Sequence, residues 1–176
     1  MYLVKKQQGV GLVEVLVALL LLAVGILGFI ALQYRAVEAS AEATNRVQAM
    51  NLARDLTEKM RVNDSTNAIT SYKTNLQNQE NQKTAEDCYA AFCTPANKAK
   101  FDVNQTYLQA QRLGMKVQMQ TCPETANGRQ CIYVAWDKTD PVNNTATTTG
   151  YVSCTTSTEG SFSYTNNSTC IVLEAY

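Results

Sequence analysis

The chain has 176 residues, enough for one domain with an attached segment. Fifteen Lys plus Arg balance 15 Asp plus Glu to zero net charge, so no basic excess points to a nucleic-acid partner. Histidine is absent, which excludes Ser/His/Asp and Cys/His catalysis and every His-containing zinc site.

The front of the chain, residues 5–33, reads KKQQGVGLVEVLVALLLLAVGILGFIALQ. From Val15 to Leu32 there are 18 consecutive residues without a charge or an amide; from Val10 there are 23, with Glu14 the single charge. That length spans a hydrocarbon core of roughly 30 Å as a helix. Lys5 and Lys6 precede it, so the positive-inside rule keeps the N-terminus cytoplasmic and sends the remainder outward. A charge at the centre of a membrane helix costs about 2.5–3.5 kcal/mol, so Glu14 needs a compensating contact or a position near the headgroups. A secretory signal cleaved at Ala39-Ser40-Ala41 is the competing reading, with a mature start near Glu42. The apolar run is longer than an ordinary signal core of about 7–15 residues.

The run continues as AVEASAEATNRVQAMNLARDLTEKMR, free of Pro and Gly and rich in helix formers. Ala49, Leu52, Ala53, Leu56 and Met60 share one face, and Asp55 and Lys59 are spaced for an i, i+4 ion pair. The spacing predicts one helix from Val10 to Arg61, 52 residues, or about 78 Å at 1.5 Å per residue. Its apolar first half, 10–32, is the membrane span, and 33–62 is the amphipathic half.

After Val62 the composition turns polar, and residues 63–176 form the outer, globular part. Residues 63–95 read as a loop with short helical turns, followed by a helix around Ala96–Leu113. In GMKVQMQTC, Met115, Val117 and Met119 alternate with polar residues, and CIYVAWD places Ile132, Val134 and Trp136 on one face. Asn127-Gly128 between these runs favours a hairpin. TCIVLEAY at 169–176 reads as a third strand able to pair at an edge, and TGYVSCT at 149–155 as a weaker fourth. Residues 143–169 are dense in Asn, Ser, Thr and Gly and read as a long surface loop. Strands after a long helix imply α+β architecture, with an antiparallel sheet packed on the helix.

All six cysteines, Cys88, Cys93, Cys122, Cys131, Cys154 and Cys170, fall in this outer half. An even number behind a membrane-targeting segment reads as disulfides in an oxidising compartment. Paired C-x-x-C spacings are missing, so no metal or cofactor is expected. Six cysteines allow about 15 connectivities. The nearest-in-sequence pairing, Cys88–Cys93, Cys122–Cys131 and Cys154–Cys170, is the expected one.

A basic leader ending in Gly9, then VGLVE and an apolar helix, resembles the class III signal of type IV pilins and pseudopilins. The resemblance implies that a prepilin peptidase cuts between Gly9 and Val10 and methylates the new Val10 amine. Family members usually begin with Phe, where this chain would begin with Val. Glu14 then holds the fifth mature position, where the family's acid attracts a neighbour's N-terminal amine and sets register in the filament core. GLVEVLVALLLLAVGILGFIALQ, RVQAMNLARDLTEKMRVN and YVAW look like the type IV pilus modification protein (PilV) family of minor pilins.

That likeness implies a pilin-like, disulfide-stapled fold: a long N-terminal transmembrane/amphipathic helix packed on a small antiparallel β-sheet. The family often staples a C-terminal loop, which fits Cys154–Cys170. Gly25 and Gly28 in the membrane run also look like the family; ordinary membrane packing is an equal reading of them. Implied partners are other minor and major pilins, the prepilin peptidase, the inner-membrane assembly platform and membrane lipid. The implied location is the bacterial inner membrane, single-pass with a periplasmic C-terminal domain, and then the pilus. A type II secretion pseudopilin shares the same front end. A periplasmic binding protein or enzyme with an ordinary signal is the reading from another class.

Overall fold

A computed structural model describes residue 9 and residues 11–125, 127–158 and 160–175. Val10, the lysines of the leader and the final Tyr176 lie outside the described residues. The chain divides into two compact units, Met1–Ala43 and Thr44–Tyr176.

Helix α1 runs Leu12–Val62. In the first unit its apolar side chains are solvent-exposed, from Leu12 and Val13 to Leu32 and Tyr34. Burial begins at Ala49, and Leu52, Ala53, Leu56, Thr57 and Met60 continue the same face. Asp55 and Lys59 pair at 2.7 Å on the other side.

In the second unit three helices follow. Helix α2, Thr66–Leu76, starts where Ser65 caps it, the Oγ accepting from the Ala68 N–H at 3.3 Å. The polar stretch after Val62 thus folds as an 11-residue helix, where turns alone were expected. Ala68, Tyr72 and Leu76 recur at i, i+4 and i+8 on its buried face with Ser71 beside them, but the Thr, Asn, Ser and Lys between them mask that period. Helix α3, Gln79–Gln82, is one turn capped by Asn78. Helix α4, Pro95–Arg112, begins with Thr94 as cap and Pro95 in its first turn, where the missing N–H has no role. It ends at Gly114, whose φ of +68° supplies the left-handed turn into the first strand.

Strands β1 (Met115–Thr121), β2 (Gln130–Trp136) and β6 (Cys170–Glu174) form an antiparallel sheet with β2 in the middle. The β1–β2 hairpin pairs Met115 with Trp136 and Thr121 with Gln130. Gly128 turns its connection at φ +62°. Strand β6 pairs along β2 at the sheet's edge. Helix α3 covers the opposite edge: Gln79 and Gln82 Nε2 both donate to the Val117 carbonyl, at 3.0 and 2.8 Å.

Strands β3 (Thr139–Asn143), β4 (Val152–Thr158) and β5 (Ser161–Tyr164) form a second sheet. In it β3 and β4 run parallel, and β4 and β5 antiparallel. The tract 143–169, read from sequence as a loop apart from the weak strand at 149–155, contains β4, which overlaps that strand, and β5, which the sequence reading lacks. Its inward contacts are hydroxyls and amides, such as Thr155 Oγ1 donating to Asn143 Oδ1 at 3.0 Å, so apolar alternation signals it only weakly.

Every residue of β2 is buried, because each face meets a different layer. Ile132, Val134 and Trp136 join the core made with α1, α2 and α4. Cys131, Tyr133 and Ala135 face a second cluster with Cys122, Cys154 and Cys170. Three disulfides close the unit: Cys88–Cys93, Cys122–Cys131 and Cys154–Cys170.

Candidate assembly and processing segment

Gly9 is exposed and non-helical, one residue before the undescribed Val10. Gly11 opens α1, its carbonyl accepting from the Glu14 N–H at 3.0 Å and the Val15 N–H at 3.3 Å. Glu14 therefore sits in the first turn, where unpaired N–H groups give the helix end partial positive charge and favour an acid. Its side chain is exposed, and no ion-pair partner for it exists among the described residues.

From Leu12 to Leu32 the helix presents Leu, Val, Ile and Phe on all sides, and Gly25 and Gly28 have open space where a Cβ would stand. No part of its most apolar window is buried, and it is the one helix among the described residues long and apolar enough to cross a membrane. Such a surface is stable only in lipid or packed against other helices. Beyond it, exposed Tyr34 and the Arg35–Glu38 pair at 3.0 Å return the helix to polar character.

Among the described residues the second unit holds two buried carboxylates, Asp102 and Asp140, and both are paired. Asp102 on α4 accepts from the Tyr72 hydroxyl at 2.7 Å and pairs with Lys98. Burial and the Asp102 contact push the Tyr72 phenol above its ordinary pKa. Asp140 on β3 accepts from Lys116 Nζ at 2.8 Å, from the N–H groups of Thr147 and Thr148 at 2.9 and 2.6 Å, and from both hydroxyls. Burial alone would raise its pKa; the Lys116 and threonine hydrogen bonds outweigh it and hold the carboxyl below the usual range. These groups brace the fold, tying α2 to α4 and β1 to β3. Among the described residues no group of three or more His, Cys, Asp or Glu could hold a metal ion.

Sequence reasoning did not find Asp102 or Asp140, since an acid in a polar tract carries no sign of its burial. It also passed over the aromatic content of the ring Cys88-Tyr89-Ala90-Ala91-Phe92-Cys93, which was visible as two aromatics between close cysteines.

Residues 4–30 match the prokaryotic N-terminal methylation motif, and residues 31–104 match the family described as Tt1218-like, type IV pilin Tt1218. A long apolar N-terminal helix, a small antiparallel sheet against its buried end and three disulfides make this a type IV pilin fold. Within that class the chain is similar to the Tt1218-like type IV pilins over residues 31–104, behind a prokaryotic N-terminal methylation motif. That family is structural rather than enzymatic. No curated protein and no solved structure matches the chain.

Proposed function

We propose that the chain is a minor pilin of the PilV type. In this reading residues 1–9 are a leader removed by prepilin peptidase between Gly9 and Val10, and the Val10 amine is methylated. Residues 10–32 anchor the subunit in the inner membrane, 33–62 continue as the amphipathic half, and 63–176 form a periplasmic head. The subunit then leaves the membrane for the filament and, at or near its tip, helps initiate assembly with other minor and major pilins on the inner-membrane platform. Motility, adhesion or DNA uptake would follow from the filament.

The observation that carries this reading is an exposed apolar helix under a methylation motif, with an unpaired acid in its first turn. A carboxylate in a low-dielectric bundle is strongly attracted to a neighbouring amine and heavily penalised without one. Glu14 thus favours the bundle over the isolated helix and resists axial sliding. The test is intact mass and N-terminal sequencing of the chain recovered from cells. The expected start is N-methylated Val10; a start near Glu42 overturns the reading in favour of an ordinary secreted protein.

A further inference from the structure

Every cysteine is joined to its neighbour along the chain, at separations of 5, 9 and 16 residues. Each pair also belongs to its own local element. Cys88 and Cys93 close one turn, whose start is held by Asp87 Oδ1 accepting from the Tyr89 and Ala90 N–H groups at 3.0 and 3.2 Å. Cys122 and Cys131 straddle the β1–β2 connection, where the Cys122 N–H donates to the Arg129 carbonyl at 2.7 Å. Cys154 and Cys170 stand on either side of β5, and their link joins β4 of one sheet to β6 of the other.

The folded molecule also contains a hazard for its own oxidation. Cys122, Cys131, Cys154 and Cys170 share one buried cluster with Tyr133 and Ala135. If that cluster collapsed around four free thiols, wrong pairings would compete with the right ones. Burial would then shut out the thiolate needed to exchange a wrong link.

Loop closure settles the order. Closure falls as about the −3/2 power of loop length, so the 5-residue loop is favoured roughly sixfold over the 16-residue one. Each wrong neighbour, Cys93 for Cys122 or Cys154 for Cys131, is farther off in the chain than the right one. The third link waits on a further step. Cys170 lies opposite Ala135 on β2, and β6 has no sheet to join until the β1–β2 hairpin exists. That hairpin brings Cys122 and Cys131 together first.

We propose that the chain matures by local oxidation in the order Cys88–Cys93, Cys122–Cys131, Cys154–Cys170, served by a protein dithiol oxidase and needing no disulfide isomerase. In each step a cysteine thiolate attacks the oxidase disulfide and forms a mixed disulfide. The second cysteine then attacks the chain's own sulfur in that link, and the oxidase leaves as a dithiol. Two electrons have passed to the oxidase, and two protons have left the cysteines. No link made early has to be broken later. The inference stands apart from the filament reading and holds whichever residue begins the mature chain.

The test starts from the full chain, reduced in denaturant and detergent and diluted into oxidised glutathione. Samples are quenched at intervals with N-ethylmaleimide, and linked peptides are mapped by mass. The native links are expected in the stated order, with non-native links below roughly a tenth of the total throughout. Added disulfide isomerase is expected to leave the yield of the three-link chain unchanged. The same map on chain recovered from cells with and without their disulfide isomerase needs no refolding, and the two maps are expected to be identical. Cys131→Ser removes the protecting closure, so links from Cys122 to Cys154 or Cys170 are expected to rise severalfold. Four results overturn the proposal: Cys154–Cys170 forming before Cys122–Cys131, a non-native link accumulating ahead of the third native one, native pairing that increases with isomerase in either setting, or no rise in non-native links in Cys131→Ser.

Discussion

The hydroxyl of Tyr72 on α2 donates to the buried carboxylate of Asp102 on α4 at 2.7 Å, across a separation of 30 residues in the chain. Both side chains are buried among the helices that back the sheet. Their contact ties a polar, weakly signalled helix into the core.

Tyr72→Phe should therefore lower stability by about 1–3 kcal/mol, read by denaturant unfolding, because Asp102 stays buried with one donor fewer. The pH dependence has a defined sign. The folded Tyr72 pKa lies above its ordinary value, so its contribution is full below about pH 10 and is lost as pH rises beyond that. Burial raises the Tyr133 phenol in the same direction. Tyrosinate absorbance should show these two residues ionising only as the protein unfolds.

Asp140→Asn removes the charge on which Lys116, Thr147 and Thr148 converge. Breaking a buried, hydrogen-bonded pair from one side costs about 3–5 kcal/mol, and half-exposed Lys116 places this case near the lower end. The folded pKa is depressed, so the contribution is present above the unfolded value of about 4 and lost as pH falls through the folded one. Acid titration of stability should be steeper in the parent than in the variant. Equal slopes would mean that the clamp does not hold the 144–151 loop.

The three disulfides should not be equivalent. Cys88 and Cys93 are half-buried, while the other four cysteines lie in the core. Limited reduction followed by alkylation and mass mapping should label Cys88 and Cys93 first. By loop entropy the Cys154–Cys170 link contributes about 3 kcal/mol and the shorter Cys88–Cys93 link about 2. Replacing Cys154 and Cys170 by serine should therefore depress Tm more than replacing Cys88 and Cys93.

On the proposed reading, Glu14→Ala leaves membrane insertion intact or slightly better, since it removes a charge from the apolar run. Its incorporation into filaments should fall at least severalfold, measured by immunoblot of sheared pili against total membrane. Normal incorporation would dismiss the register role, although the leader cut could still occur.

Much of this architecture is legible in the sequence wherever apolar spacing does the positioning. The buried face of α1 from Ala49 to Met60, helix α4 and the β1–β2 hairpin all follow from period and turn chemistry. Strand β4 is legible in part, through the run at 149–155, whereas β5 is not; Ser153, Thr155 and Ser157 are held by hydroxyl and amide contacts that composition reads as loop. Helix α2 hides because its inward residues Ala68, Ser71, Tyr72 and Leu76 are outnumbered by polar ones that composition reads as loop. The second sheet also escapes, since its parallel β3–β4 pair depends on a return path that no local pattern encodes. The candidate processing site is legible only through resemblance: nothing in the physics of Gly9 distinguishes it from any exposed glycine.

The covalent links also set how the head answers a pull. Cys131 is bound back to Cys122, and Cys170 back to Cys154, so the segments between them are closed loops. Under tension those residues cannot pay out as slack, and the strands they join must shear together rather than peel one at a time. A force probe would find the C-terminal region stiff and short in its extension until a reductant is added, after which the hidden length appears.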